Sequence, residues 1–135
     1  MTRVSKHVLK KNLSKKLFDQ LAKILERSAK RSTSAFLSDL LTETEQLMLA
    51  KRLAAILMLH EEYSLYKISV ILKMSTSTIF FMQEQYKSGH YDEIIKVIEQ
   101  SKTDKEEFWR TIELILRAGM PSMGKDRWQY LKQMK

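Results

Sequence analysis

The residues best suited to chemistry gather in one stretch, SLYKISVILKMSTSTIFFMQEQYK, from Ser64 to Lys87. Ser75, Thr76, Ser77 and Thr78 set hydroxyls side by side, and a hydroxyl can donate to or accept from a base edge or a phosphate. Phe80 follows, a ring able to touch a thymine methyl or to wedge at a base step. Lys67, Lys73 and Lys87 stand in the same stretch and offer cations for phosphates. Nothing comparable points to covalent or acid–base chemistry. The chain has no cysteine, which removes disulfides, thiolate metal sites and thiol nucleophiles together. It shows no Gly-rich phosphate loop, no His pair at ligand spacing and no carboxylate pair isolated on an apolar face, so neither an enzyme nor a cofactor is expected. His60 lacks a second ligand at metal spacing and reads as a residue of a helix C-terminus; His90 reads as facing solvent or phosphate.

Hydroxyls in a row read bases only if a helix presents them. Ser64 and Ser75 are N-cap candidates, each able to accept from a free N–H of the following turn. Ile68, Ile71 and Leu72 recur at helical spacing after the first, and Ile79, Met82 and Tyr86 after the second. Two short helices joined by a tight turn are the helix-turn-helix pattern, with small Ser69 after Ile68 and Met74 in the turn. In a DNA reader the early residues of the second helix meet base edges in the major groove. Lys73 takes the turn position where glycine is usual, at a cost of about 1 kcal/mol if the backbone is left-handed. Phe pairs are usually core, so at least one of Phe80 and Phe81 should point inward. An ordinary helical hairpin would use the same caps and the same periodicity.

The rest of the chain must hold this pair in place. At 135 residues and 44% hydrophobic, it suffices for one compact domain or a small domain with an appended module. Three glycines, one proline and few alternating β-branched runs predict a chain that is almost all helix. The net charge of +8 is concentrated at one end: residues 1–31 hold ten Lys/Arg against two acids, and the remainder balances. A basic arm over residues 1–11, with Lys10 and Lys11, can neutralise phosphates and add salt-dependent affinity for double-stranded DNA; the plainer reading is a solvated basic face. No apolar run approaches the roughly 18 residues of a membrane span and no signal core follows the N-terminal lysines, so a cytoplasmic protein with no membrane partner is expected.

Leu13, Leu17, Phe18, Leu21, Ile24 and Leu25 predict an amphipathic helix to about Lys30, broken at Arg31–Ser34 where hydroxyls compete for the backbone. A short helix should run from Ala35 to Leu41. Thr42 and Glu45 then read as a capping box, with Thr44 a competing cap, for a helix from about Glu43 to Glu62. That helix is apolar almost all round, so it belongs inside a bundle or across a subunit interface. Gly89 suits a left-handed stop after Tyr86, and Tyr91–Gln100 makes another short helix. Beyond it, Thr103 and Glu106 cap a helix through Phe108, Trp109, Ile112, Ile115 and Leu116 to Gly119, and a final helix from about Lys125 carries Trp128, Tyr130 and Leu131. The parts are therefore a basic arm (1–11), a helix-turn-helix domain (12–100) and a C-terminal helical extension (101–135) that forms a hairpin.

The run LLTETEQLMLAKRL ahead of this helix pair resembles the tryptophan repressor superfamily, especially its broader bacterial branch. The resemblance rests on Leu40-Leu41-Thr42, on Leu49-Ala50-Lys51-Arg52 at the right distance, and on Ser75-Thr76-Ser77-Thr78-Ile79 opening the second helix, and it spans roughly Leu13 to Tyr91. It implies an all-α, intertwined homodimer that places each second helix in the major groove of one half-site. It further implies that Thr42 and Arg52 stand where the family forms an amino-acid pocket. The pocket's stacking arginine and its glycine correspond here to Phe81 and Met82, which would fill the cavity and leave no cation over an indole, so tryptophan binding is not expected. Arg52 would then pair with an acid on a neighbouring helix. The function expected is a homodimeric, sequence-specific transcriptional regulator, a repressor; the alternative is a helical protein-interaction adaptor that kept the fold and lost specific DNA reading.

Overall fold

The computed structural model describes residues 10–119. Among them every regular element is a helix: α1 (Lys11–Ser28), α2 (Thr33–Leu40), α3 (Glu43–His60), α4 (Leu65–Leu72), α5 (Thr76–Lys87), α6 (Asp92–Glu99) and α7 (Lys102–Gly119). The chain divides into two compact units, residues 1–50 and 51–135, with the boundary inside α3.

In the first unit α1 packs on α2. Ser32 caps α2 by accepting from the Ala35 N–H at 3.1 Å, so the helix starts earlier than the expected Ala35. The predicted capping box opens α3: the Glu45 N–H donates to Thr42 Oγ1 at 3.1 Å, and the Thr42 N–H donates to Glu45 Oε1 at 2.9 Å. No residue of α1 or α2 is buried. Leu13, Leu17, Phe18, Leu21 and Ile24 form an exposed apolar stripe along α1, with Phe18 66% accessible.

The second unit holds the core. Ala54 to Leu59, six consecutive residues of α3, are all buried, as an all-round apolar helix requires. Ile56 and Met58 are joined there by Ile68 of α4, Ile79 of α5 and Ile112 of α7 as its largest fully enclosed side chains. Each stabilises the unit by about 1.5–3 kcal/mol through burial. Helix α4 packs on α5 and α7, and α6 packs on α7.

Helices α3, α4 and α5 are each followed by a left-handed residue. Glu62 (φ 64°) closes α3, with the Tyr63 N–H reaching back to the Met58 carbonyl at 3.0 Å. Gly89 (φ 84°) closes α5 in the same way, with the His90 N–H on the Gln85 carbonyl at 3.0 Å. Helix α7 starts differently from expectation. Its cap is Ser101, whose Oγ accepts from the Asp104 N–H at 3.2 Å, and Thr103 lies already inside the helix. Trp109 stacks on Tyr63, with ring centres 5.6 Å apart and planes 13° apart. The final helix expected from Lys125, with Trp128, Tyr130 and Leu131, lies outside the described residues.

Candidate nucleic-acid interface

Two serine caps and one strained turn position the candidate reader. Ser64 Oγ accepts from the Lys67 N–H at 3.1 Å and starts α4. At its far end Lys73 adopts the left-handed conformation (φ 53°, ψ 52°), so the chain reverses without the usual glycine. The Ser69 hydroxyl donates to the Met74 carbonyl at 2.6 Å and, with the Met74 N–H on the Ser69 carbonyl at 3.1 Å, clamps this turn. Ser75 then caps α5 by accepting from the Thr78 N–H at 3.2 Å.

The hydroxyl row is partly occupied by its own cap. Ser75 Oγ lies 2.7 Å from Thr78 Oγ1 and 3.3 Å from Ser77 Oγ. Thr76, in the first position of α5, is exposed and its hydroxyl has no protein partner among the described residues. Ile79 and Met82 face the core, and Ser77, Phe80, Phe81, Glu84 and Lys87 face solvent. Both phenylalanines therefore point outward, against the expectation that one would be core. Ile79 and Met82 already fill the inward direction, and Phe80 and Phe81 each lie one residue, about 100° of helix rotation, from one of them.

The cations divide. Lys73 and Lys87 are exposed, although Lys87 Nζ has Glu84 Oε1 at 3.9 Å beside it. Lys10 and Lys11, at the start of α1 in the first unit, are exposed as well. Lys67 is not a surface cation: it is 4% accessible, its Nζ has no hydrogen-bond partner, and it lies 5.3 Å from the centre of the Tyr63 ring. Its aliphatic stem on the inner face of α4 carries the ammonium beneath the surface, and loss of hydration there lowers its pKa. Lys67 is thus unavailable to a phosphate in this structure.

Of the two residues that the resemblance sets at an amino-acid pocket, one is already engaged. Thr42 spends its hydroxyl on the α3 cap. Arg52 is exposed and forms no ion pair among the described residues, so the expected pairing with a neighbouring acid is not made.

One cluster carries no local sequence signal. His60 Nδ1 lies 2.9 Å from the Tyr86 hydroxyl, and its Nε2 lies 3.3 Å from Glu99 Oε1. Lys105 Nζ reaches Glu99 at 2.9 Å and Glu61 at 3.4 Å. Its hydrogen bond to Lys105 holds the Glu99 carboxyl below the ordinary range, and the same bond raises Lys105. The groups come from α3 and the residue after it, α5, α6 and α7, and no residue spacing connects them. The cluster joins the C-terminal half of α5 to the rest of its unit. Among the described residues no group of three or more His, Asp or Glu could hold a metal ion, and no helix is long and apolar enough to cross a membrane.

Helices α4 and α5, each opened by a serine cap and joined by the tight turn at Lys73 and Met74, make a helix-turn-helix, and α5 turns hydroxyls and two rings to solvent. The chain matches the family model described as Trp repressor protein over residues 15–102, and it belongs to that family, one of DNA-binding helix-turn-helix regulators. Helix α7 lies almost wholly past the matched residues. No curated protein and no solved structure matches the chain.

Proposed function

We propose that the protein is a sequence-specific DNA-binding transcriptional regulator of the bacterial cytoplasm, a repressor that works as an intertwined homodimer. In this reading α5 enters the major groove of each half-site and the N-terminal arm lies on phosphates. The carrying observation is the capped start of α5, where Thr76 and Ser77 are exposed on a helix whose other face is locked into the core by Ile79 and Met82. Rigid placement matters because base readout needs side chains held in register with the groove. The first two turns of α5 carry no Lys or Arg, so cations elsewhere supply the charge in this reading, Lys73, Lys87, Lys10 and Lys11 among them.

A homodimer is favoured by the exposed apolar stripe of α1 and, separately, by exposed Leu47, Leu49 and Leu53 in α3, since exposed apolar residues in such numbers favour an interface. Tryptophan is not the effector in this reading. Phe81 replaces the cation that would lie over an indole, and the Thr42 hydroxyl is already a cap.

Selection of binding sites from random duplexes tests the reading directly. Wild-type protein should enrich a two-fold symmetric site. Replacing both Thr76 and Ser77 with alanine should cost about 1–3 kcal/mol on that site and little on random DNA. If nothing is enriched, the adaptor reading gains, and the exposed Phe80 and Phe81 then become its docking residues.

A further inference from the structure

The outward face of α5 turns two phenyl rings to solvent where a DNA-binding helix is ordinarily basic. Ile79 and Met82 mark the inward direction. At about 100° per residue, Ser77 and Glu84 fall opposite them, with Phe80 on one side of that outward line and Phe81 on the other. The two rings are 54% and 62% accessible. They follow directly on the first turn with its free Thr76, in the part of a second helix that enters the groove. A phenyl ring has no donor or acceptor, so it cannot tell bases apart by hydrogen bonds. In the major groove the apolar feature of the four base pairs is the C5-methyl group of thymine.

We propose that Phe80 and Phe81 are specificity-determining residues that select thymine through its C5-methyl group, an inference that rests on the base-reading role proposed above. The hydroxyl of Ser77 and the carboxylate of Glu84 serve the polar edges between the two rings, and the hydroxyl of Thr76 serves the edge beyond Phe80. Glu84 is suited to a cytosine amino group. The half-site is accordingly built around thymines flanking a short polar step.

The test compares the selected duplex with copies in which single thymidines are replaced by deoxyuridine, which keeps every donor and acceptor and loses only the methyl. Dissociation constants are measured for wild-type protein and for the Phe80→Ala/Phe81→Ala double variant. Circular dichroism melting monitors the fold, and the two single variants replace the double one if its helical signal is lost. Wild type should weaken about fourfold at one or more thymidines of each half-site, the factor that corresponds to one buried methyl-sized group. The double variant should bind the dT and dU duplexes alike. If wild type ignores deoxyuridine yet still prefers the selected site over random DNA, base reading stands and methyl selection is rejected. A deoxyuridine penalty that persists in the variants assigns the methyl to other residues and rejects it too. Absence of any site preference rejects both readings.

Discussion

The Nδ1 atom of His60, the last residue of α3, lies 2.9 Å from the hydroxyl of Tyr86, one residue before the end of α5. With Nε2 facing Glu99 at 3.3 Å, both ring nitrogens have a partner. Helix α5 is thereby fastened at both ends, by Ser75 at its start and by His60 near its finish.

Loss of that bond should loosen the candidate reader. Tyr86→Phe removes the hydroxyl, keeps the ring and leaves Nδ1 without its partner, so urea unfolding should show a loss of about 1 kcal/mol. Combined with His60→Leu in a double-mutant cycle, the pair should couple by more than about 0.5 kcal/mol. Additive losses would mean that the hydrogen bond contributes nothing of its own.

Lys67 gives a prediction of opposite sign. Its buried ammonium has no hydrogen-bond partner, and attraction to the Tyr63 ring offsets only part of the lost hydration. Lys67→Met should therefore stabilise the protein by about 1 kcal/mol at neutral pH. The pH dependence follows from the lowered pKa. Between the folded value and the ordinary 10.5 the unfolded chain binds more protons, so this group makes stability rise with pH across that alkaline window. Tyr63 acts the other way. Burial, then the charge of Glu61, raises its pKa above 10.0, and that contribution is lost as pH climbs through the raised value. The gain from Lys67→Met over wild type should accordingly shrink as pH rises toward 10.5, a difference that denaturant melts at successive pH values will show.

The stripe on α1 predicts assembly. Wild-type protein should sediment at twice the 16.0 kDa chain mass at micromolar concentration, and Phe18→Glu, which sets a charge in the middle of the stripe, should shift it toward monomer. A folded wild-type monomer under those conditions would remove the ground for a dimer.

Lys10 and Lys11 predict a salt effect without a sequence effect. Replacing both with glutamine should lower affinity for all duplexes alike and reduce the slope of log K against log salt by about 0.9 for each phosphate no longer neutralised. An unchanged slope means that this end of α1 is only a solvated surface. A weakening confined to the preferred site would instead make these lysines base readers.

Local patterns in the sequence determined the helices and several of their starts, although α2 and α7 begin at other caps than the pattern suggested. Ser64, Ser75 and the Thr42/Glu45 box act within three residues, and the spacing of Ile68, Ile79 and Met82 settles which face of each helix turns inward. Both are short-range matters of capping and periodicity, legible without a fold. The family resemblance was legible for the same reason, because it lies in contiguous runs. Only the tertiary structure decided the rest. Residue type sends lysine to the surface and phenylalanine to the core, yet Lys67 is buried beside Tyr63 while Phe80 and Phe81 are open to solvent. Position on a helix already anchored by its neighbours outweighed hydrophobicity at those sites. The His60, Tyr86, Glu99 and Lys105 cluster was equally hidden, since its members meet only after four helices have packed, and no one-dimensional spacing records which helix ends come together.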